Sequence, residues 1–526
     1  MHVQLSRDLL WYIFSVNAEM QPLEPELHDI PPINTLRHTS QVCSTWRDLA
    51  LDAQSLWSRV IDFNCLRHEE WRNEVMRRTG TSPLFVRCGR EHWGPPGSSD
   101  FEENVISILM ENWTRLRSLK IKFLRSHATD YENDRAIWCL LERPATALEV
   151  FELSLCFRAR QQRYRNPPVL SPSGFKVFSH HAPSLKVFIA RYIRPDIRAS
   201  WTSQLRVLEL NTPIPIYELL EALKNMPFLE SLEDTSGCAI INGDADRLRS
   251  LSSNKFRFPR LQRINIYTEL NIMPYLIFLR HIEPAHGRVL AFYSYPCDSE
   301  YDPNEEAITA ASDVLRTFSK HAELACSTQL KLDLMRYSFL FQASLPGETT
   351  FRFFQYCYGD SPAHTTCELF GALNFTDFPQ AQKLTLSLQE TEGLHYSDLK
   401  IARFLKSVAT IEFLETSPDT LRFLLLLPDS IIEEAFPDLQ HISIQQPEVG
   451  EVFLLHPFLV FRRAIRRPIS ILSISILSGK FDLTFLEEFT GLKVIMFYYC
   501  EEEEEDYKIG EYICGSGSPQ ELILNQ

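Results

Sequence analysis

Hydrophobic positions with a helical period open the chain. They lie four, five, eight and nine residues after the first one, so they share one face of a helix. These positions are Leu5, Leu9, Leu10, Ile13 and Phe14. Ser6 is of a type that caps helix N-termini. Prolines then accumulate between Pro22 and Pro32, which predicts a loop, because a helix does not continue through prolines at this density.

A second helical period follows the prolines. Thr39, Ser40 and Gln41 can begin this helix, and a short segment at 55–57 comes after it. The apolar positions of the second period are Leu36, Val42, Cys43, Trp46, Leu49 and Ala50. Together the two periods predict a small all-helical module at the start of the chain.

Short elements alternate over residues 60–100. The pattern predicts, in order, an apolar segment at 60–63, a helix at 69–78, a turn at Gly80, a strand at 83–86 and a polar loop or hinge at 94–100. We therefore expect this region to connect the helical module to the rest of the chain.

Beyond residue 100, one spacing of leucine-like residues returns many times. The residues stand at the first, fourth and sixth positions of short segments that follow helical runs, at intervals of about 20 to nearly 40 residues. The segments are Leu116–Ile121, Leu148–Leu153, Leu185–Phe188, Leu205–Leu210, Leu229–Leu232, Leu261–Ile266, Leu439–Ile444 and Leu492–Ile495. The stretch from Pro284 to Asp377 is less regular.

The repeated segments indicate units that must stack. A unit made of one strand and one helix cannot bury its own apolar face, so it needs its neighbours. Prolines that end the helix before several predicted strands agree with this; they are Pro183, Pro227, Pro259, Pro379 and Pro437. The expected fold is an irregular α/β solenoid of leucine-rich repeats. Several ordinary α/β domains are the alternative, because the intervals are uneven and the asparagine ladder of tight repeats is absent.

Composition narrows the classes of function. The 526 residues exceed one ordinary hydrophobic core, and 44% hydrophobic with 23% charged residues is typical of folded proteins. A formal net charge of −15 disfavours nucleic-acid binding, which requires clustered Lys and Arg in excess. No apolar run approaches the roughly 18 residues of a membrane span, and no secretory leader is recognised, so we expect the cytoplasm, the nucleus or both.

Catalytic and metal-binding patterns are missing from the sequence. The 12 cysteines have irregular spacing without zinc-knuckle pairs, which is typical of thiols in a reducing compartment. Nucleophile elbows, phosphate-binding glycine loops and zinc-protease helices do not occur. We therefore expect no metal, no cofactor and no catalytic residue. A hydrolase that combines a Ser or Cys with one of the 15 histidines is the alternative from the enzyme class.

Three segments near the N-terminus together resemble an F-box. They are Leu5–Phe14, Val42–Ala50 and Leu56–Trp57, and Arg77–Leu84 is similar to the continuation found in the large fungal F-box families. The family usually has a proline after the first leucine, where this chain has Ser6. The resemblance implies a helical module that docks on a Skp-family adaptor and so joins the chain to the cullin and RING subunits of a ubiquitin ligase.

The resemblance also assigns residues, position by position. Those that match the family's apolar positions, which pack the module or face the adaptor, are Leu5, Leu9, Leu10, Ile13, Phe14, Val42, Cys43, Trp46, Leu49 and Trp57. A helical hairpin that caps the repeats would explain the same residues. However, a module of about 60 residues cannot hide so many large apolar side chains internally, which favours a docking surface.

Target contacts are expected on the predicted strands of the repeats, where polar and aromatic residues alternate with leucines. The candidates are Arg206, Glu209, Arg263, Asn265, Tyr267, His441, Ser443 and Gln445. The aromatic segment Phe351–Tyr358 predicts a buried strand, and Arg462–Arg467 predicts a solvated helix end. The run Glu501–Asp506 predicts a solvated loop or a patch for a basic partner.

These observations predict a chain of four parts. They are an F-box-like domain at 1–62, a connecting region at 63–100, a leucine-rich-repeat-like target-binding domain at 101–500, and an acidic and polar tail at 501–526. The expected function is that of a non-catalytic substrate-recognition subunit of an SCF-type ubiquitin ligase, which holds an unknown protein target near the transferring subunits. The alternative is a leucine-rich-repeat scaffold that binds a partner without recruiting a ligase.

Overall fold

The chain divides into two compact units of mixed α/β structure. The first comprises residues 1–253 and 258–261, and the second comprises 254–257 and 262–526. The structure is a computed structural model that describes residues 6–18, 30–89, 99–125, 135–157, 169–172, 174–234, 240–241, 255–268, 272–295, 305–347, 349–357, 362–373, 378–389, 399–445, 447, 450–476, 480–500 and 505–525.

The first unit begins with helices and continues as a parallel sheet. Its helices are α1 Arg7–Asn17, α2 Pro32–Thr39, α3 Ser44–Asp52, α4 Gln54–Trp57, α5 Glu69–Arg78, α6 Ser99–Asn112, α7 Arg135–Leu141 and α8 Ile216–Lys224. Its strands are β1 Ile61–Asp62, β2 Leu84–Cys88, β3 Leu116–Arg125, β4 Val150–Phe157, β5 Val187–Arg191, β6 Val207–Leu210, β7 Ile214–Pro215, β8 Ser231–Asp234 and β9 Ile240–Ile241. The parallel order is β1-β2-β3-β4-β5-β6-β8, and β7 pairs separately with β9.

The second unit holds a larger, mostly parallel sheet. Its helices are α9 Met273–Arg280, α10 Glu305–His321, α11 Pro362–Ala372, α12 Leu399–Ser407, α13 Pro418–Leu425, α14 Asp429–Ile432 and α15 Leu455–Ala464. Its strands are β10 Phe256–Arg257, β11 Arg263–Thr268, β12 Ile282–Glu283, β13 Val289–Ser294, β14 Gln329–Met335, β15 Ser338–Leu345, β16 Thr349–Tyr356, β17 Lys383–Leu388, β18 Phe413–Thr416, β19 His441–Gln445, β20 Ile471–Ile476, β21 Lys480–Asp482, β22 Lys493–Cys500, β23 Glu505–Ile513 and β24 Ile523–Asn525.

Neighbouring strands of this sheet follow the order β11-β13-β16-β15-β14-β17-β18-β19-β20-β22-β23. All pairs are parallel except those of β15 with β16 and β14, and that of β22 with β23. Two small pairs complete the unit, β10 with β12 and β21 with β24. The predicted α/β fold class, with strands that alternate with helices over much of the chain, is confirmed.

The leucine spacing sets the register of the first unit's sheet. The fourth positions of five consecutive segments lie opposite one another in the order Leu119, Phe151, Phe188, Leu208 and Leu232. All five are at most 2% exposed, and burial of each contributes roughly 1.5 to 3 kcal/mol. Because strand side chains alternate between faces, a slip of one residue would expose this whole row.

The last leucine-like segment is displaced by one residue. Its spacing predicted that Ile495 is buried, but Leu472 of the neighbouring strand lies opposite Val494. Val494 and Met496 are therefore the buried residues of β22, and Ile495 faces the other side. The correct face depends on the neighbouring strand, which the spacing within the segment does not report.

An antiparallel meander occupies part of the less regular stretch. Strands β14, β15 and β16 pair antiparallel, which departs from a strand-and-helix alternation. The aromatic segment is β16, as predicted, but only one of its faces is buried: Phe351 and Phe353 are 0% exposed, whereas Phe354 is half-buried.

Three local predictions near the chain ends meet mixed outcomes. The predicted helix over 69–78 is confirmed by α5, and Gly80 has the positive φ of its predicted turn. The helix α2 was missed, because the proline run was assigned to a loop although Pro32 can occupy the first turn of a helix. The prediction of a tail at 501–526 is wrong, because two strands lie in this range: β23 pairs with β22, and β24 pairs with β21. Pro22, Pro25 and most of the predicted hinge lie outside the described residues.

Candidate functional site

The first helix has two apolar faces, and only one of them is buried. On the buried face lie Leu10 and Phe14, which are 3% and 2% exposed. The opposite face is apolar but open to solvent, with exposed fractions of 45% for Leu9, 62% for Tyr12, 36% for Ile13 and 50% for Val16. These four residues have the i, i+3, i+4, i+7 spacing of one helical face, and we call them the exposed α1 stripe.

Local sequence explains why a helix forms here. The Ser6 hydroxyl oxygen accepts a hydrogen bond from the Leu9 amide at 3.3 Å, and Asp8 lies in the first turn, where a negative charge is favourable. A cap of this kind contributes about 1 kcal/mol. Ser6 therefore supplies the helix start at the position where the F-box family usually has a proline.

The buried face of α1 packs on α2 and α3. The Phe14 and Trp46 rings meet edge to face, with their centroids 5.2 Å apart. The remaining buried apolar residues of these helices are Leu10, Ile33, Leu36, Leu49 and Ala50. Each short helix thus contributes to a shared core, and none depends on its own propensity alone.

The structure separates the ten residues that the resemblance assigned. Leu9, Ile13, Val42 and Cys43 are exposed, and Trp46 is half-buried. Leu10, Phe14, Leu49 and Trp57 are buried, so of the two roles that the resemblance left open, packing the module or facing the adaptor, they have the first. Leu5 lies outside the described residues.

Two members of the exposed α1 stripe were missed by the sequence analysis. Tyr12 and Val16 follow Leu9 at the spacing of a helical face, and this signal was available. In the sequence, Leu9 and Ile13 are adjacent to Leu10 and Phe14, so all four were grouped in one wide apolar face. Tyr12 and Val16 lie on the far side of that face and were left out. The boundary between buried and exposed residues divides that face, and its position depends on α2 and α3.

A tryptophan cluster joins the short helix α4 to α5. The Trp57 Nε1 donates to the Ala50 carbonyl at 2.7 Å, and its ring meets that of Trp71 edge to face at 6.1 Å. The Arg78 guanidinium lies 4.6 Å from the Trp57 ring centroid, a favourable cation–π distance. Glu74 receives hydrogen bonds from Arg77 at 2.7 Å and from Arg78 at 2.8 Å.

The hydrogen bonds of the Glu74 carboxylate with Arg77 and Arg78 predict that the stability of the protein depends on pH. Hydrogen bonds from Arg77 and Arg78 lower the pKa of Glu74 to about 2. The unfolded value is about 4.3, so the stabilisation is complete above that pH and is lost as the pH falls towards 2. We expect Glu74→Gln to reduce the free energy of unfolding at neutral pH by less than about 1 kcal/mol, because the pair is partly exposed. Urea unfolding of the unchanged protein and of Glu74→Gln, at neutral pH and near pH 2, checks this. The prediction would be contradicted if the two proteins differed in free energy of unfolding by the same amount at both pH values.

The target candidates of the first unit lie on or beside β6. Arg206 is exposed and forms an ion pair with Glu230 at 3.6 Å. Glu209 is buried and accepts a hydrogen bond from the Asn211 side chain at 3.0 Å, with Arg191 at 3.9 Å. Glu209 is therefore held by its own sheet.

The other candidates occupy two distant strands of the second unit. Arg263, Asn265 and Tyr267 lie on β11, whereas His441, Ser443 and Gln445 lie on β19. Six strands separate β11 from β19, so at about 4.8 Å per strand these groups are roughly 34 Å apart. They do not form one site.

The environment of His441 favours a structural role. Its Nε2 lies 2.8 Å from the Ser473 hydroxyl, and its ring meets that of Phe413 at 4.4 Å. Burial, together with the nearby Lys383 ammonium, lowers the pKa of His441 below its usual range. Ser443 is also buried. Of the β19 candidates, Gln445 is the exposed one.

Among the residues that the structure describes, no group of three or more His, Cys, Asp or Glu side chains is arranged to hold a metal ion. Within those residues, every helix is too short or too polar to span a bilayer.

Comparison with known proteins gives no assignment. A scan against protein-family models finds no match, and a search of curated proteins finds no significant match. Any assignment of function therefore depends on the residues and their geometry.

Proposed function

We propose that this chain is the non-catalytic substrate-recognition subunit of an SCF-type ubiquitin ligase. In this proposal the N-terminal helices dock on a Skp-family adaptor, which links the chain to cullin and RING subunits in the cytoplasm or nucleus. The two sheet-containing units bind a protein target. The observation that supports the proposal best is the exposed α1 stripe.

The free energy available from the exposed α1 stripe is sufficient for a specific complex. Its four large apolar side chains project from a helix whose other face already packs on the module core. Full burial of a Leu, Ile or Val side chain contributes roughly 1.5 to 3 kcal/mol, and a few such anchors carry most of the energy of a typical interface. A helix that is apolar on both faces is typical of one that is covered in its functional state.

Further exposed apolar residues surround the same helices. Trp11 is 40% exposed, Val42 in the turn before α3 is 62% exposed, and Leu51 near the end of α3 is 38% exposed. Clusters of exposed apolar residues of this kind mark protein interaction sites more often than ordinary solvated surface. Their position on the segments that resemble an F-box supports an adaptor as the partner.

The assignment as a receptor requires no catalytic residue in this chain. The RING subunit and its conjugating enzyme would transfer ubiquitin, and this protein would contribute proximity by holding the target. The alternative without ubiquitination, a scaffold that binds a partner through the same helices, differs in one measurable property: it does not retain a Skp-family adaptor.

The proposal is tested by removing the exposed α1 stripe without disturbing the core. We expect the full-length chain to retain a purified Skp-family adaptor, and the double substitution Leu9→Asp with Ile13→Asp to weaken binding by about 100-fold or more. Both side chains are exposed, so the melting temperature should change little. Phe14 is unsuitable for this test because it is 2% exposed and its substitution would unfold the module.

A matched control is available in the second unit. Leu399 and Leu426 are 79% and 47% exposed, so Leu399→Asp with Leu426→Asp adds the same charge to an unrelated surface. This variant should bind the adaptor as the unchanged protein does. Adaptor retention by Leu9→Asp with Ile13→Asp, or no retention by the unchanged protein, would refute the proposal.

A further inference from the structure

One cation of the second unit is held in place without an opposite charge. Arg352 lies on β16 and is half-buried. Its Nε donates to the Gln342 side-chain oxygen at 2.5 Å, and its Nη1 donates to the Tyr293 hydroxyl. The Tyr293 ring centroid lies 5.2 Å from the guanidinium carbon. Both hydrogen-bond partners are neutral, so they orient the guanidinium and leave its charge uncompensated.

Three lysines on other strands of the sheet are paired with carboxylates instead. Lys331 pairs with Asp333 at 3.6 Å, Lys383 with Glu415 at 3.0 Å, and Lys493 with Glu511 at 3.1 Å. Among the described residues, no carboxylate lies within ion-pair distance of Arg352. Arg462 also lacks a carboxylate partner, but it is 1% exposed and donates to backbone carbonyls, whereas the half-buried guanidinium of Arg352 can pair with an external anion.

The unused donors of Arg352 have a defined geometry. A guanidinium carries five N–H groups, and the two hydrogen bonds use one on Nε and one on Nη1. One N–H on Nη1 and two on Nη2 are left, which is the end-on fork that grips two oxygens of a carboxylate or phosphate. Because Gln342 and Tyr293 already restrict the side chain, binding an anion costs little further conformational entropy.

An aromatic platform lies beside this fork. Tyr295 and Phe354 stack with their centroids 4.5 Å apart, and Tyr267 meets Tyr295 at 5.6 Å. Tyr295 is 40% exposed, and Phe354 is half-buried. Ala291 lies directly opposite both Asn265 and Arg352 in the register of the strands.

We propose that Arg352 and this platform bind a segment of another protein in which an acidic side chain stands close to an aromatic one. The anion would occupy the free fork of Arg352, and the aromatic ring would lie on Tyr295 and Phe354. That this segment belongs to a ubiquitination target rests on the proposed function. Binding of the segment to this chain does not require the adaptor. A nucleic acid is disfavoured as the occupant, because one cation in an acidic chain cannot neutralise a polyanion.

The test uses full-length protein and synthetic peptides. The probes are fluorescent Gly/Ser peptides that carry Glu and Phe with zero, one or two residues between them, and matched sets in which phosphoserine or Gln replaces Glu, or Ala replaces Phe. We expect fluorescence polarisation to show that at least one Glu-Phe or phosphoserine-Phe peptide binds at least about tenfold more tightly than its Gln and Ala counterparts. The stronger of the two acidic sets identifies carboxylate or phosphate as the anion.

Substitutions separate this site from the fold and from the adaptor surface. Arg352→Gln should abolish the preference for the acidic peptides, and Tyr293→Phe, which keeps the ring but loses the hydroxyl, should reduce it in part. Lys493→Gln is the matched control and should leave this preference unchanged, because Lys493 lies on the distant strand β22 and is paired.

The adaptor surface and the peptide site can be tested separately. The variant Leu9→Asp with Ile13→Asp should bind peptides normally, and Arg352→Gln should retain the adaptor, so the two proposals can fail separately. Equal binding of Glu and Gln peptides, an unchanged preference in Arg352→Gln, or no peptide binding at all would overturn the proposal.

Discussion

Trp57→Ala is expected to lower the free energy of unfolding of the first unit by about 3 to 5 kcal/mol. The ring is 0% exposed, so truncation leaves a cavity where Trp71 and Arg78 now make contact. The Ala50 carbonyl also loses its donor, because the Trp57 Nε1 that reaches it at 2.7 Å is removed. Urea unfolding followed by far-UV circular dichroism measures the effect.

Two further variants divide this effect into its parts. Trp57→Phe keeps most of the apolar contact and removes the hydrogen bond, so we expect a loss of about 1 to 3 kcal/mol. Trp11 is 40% exposed and serves as the control, since Trp11→Ala should change stability by less than about 1 kcal/mol. If Trp57→Ala were no more destabilising than Trp11→Ala, the role of Trp57 as the anchor between α4 and α5 would be wrong.

Arg462→Met is expected to destabilise the second unit by about 3 to 5 kcal/mol. The sequence predicted a solvated helix end at this position, but Arg462 is 1% exposed. Its guanidinium donates to the carbonyl oxygens of Arg467 at 3.0 Å, Phe436 at 3.1 Å and Leu439 at 3.3 Å. Methionine has similar length but no donor, so these buried oxygens would lose hydrogen bonds.

The neighbouring arginine provides the control for this substitution. Arg463 has a side chain that is 49% exposed, and Arg463→Met should change the free energy of unfolding by less than about 1 kcal/mol. Burial lowers the pKa of Arg462 to about 10, so the side chain stays charged at neutral pH and its hydrogen bonds are charge-assisted. Equal stabilities of the two variants in thermal unfolding would show that Arg462 does not fasten α15 to the segment after α14.

These stability effects bear on the proposed function. The core of the N-terminal module holds α1 by residues such as Leu10 and Phe14, and the exposed α1 stripe depends on that support. A loss of adaptor binding after a core substitution would therefore report unfolding. This is why the functional test uses Leu9 and Ile13, which do not contribute to the core.

Local pattern was sufficient for the type and approximate place of many elements. The leucine spacing located strands β3, β4, β5, β6 and β8, because parallel strands that stack in a sheet must bury the same positions in each unit. The helical period near Leu9 and the cap at Ser6 located α1. These features depend on interactions within a few residues, so the order of amino acids is enough to reveal them.

Contacts between distant parts of the chain decided the rest. Whether Ile13 or Phe14 is exposed depends on where α2 and α3 cover α1, and whether Val494 or Ile495 is buried depends on the register with β20. The burial of Arg462 and the uncompensated charge of Arg352 likewise arise from residues brought in by folding. The periodicity of apolar residues is a property of a single segment. Burial of a residue also requires a second segment that packs against it, and the local sequence does not say which segment that is.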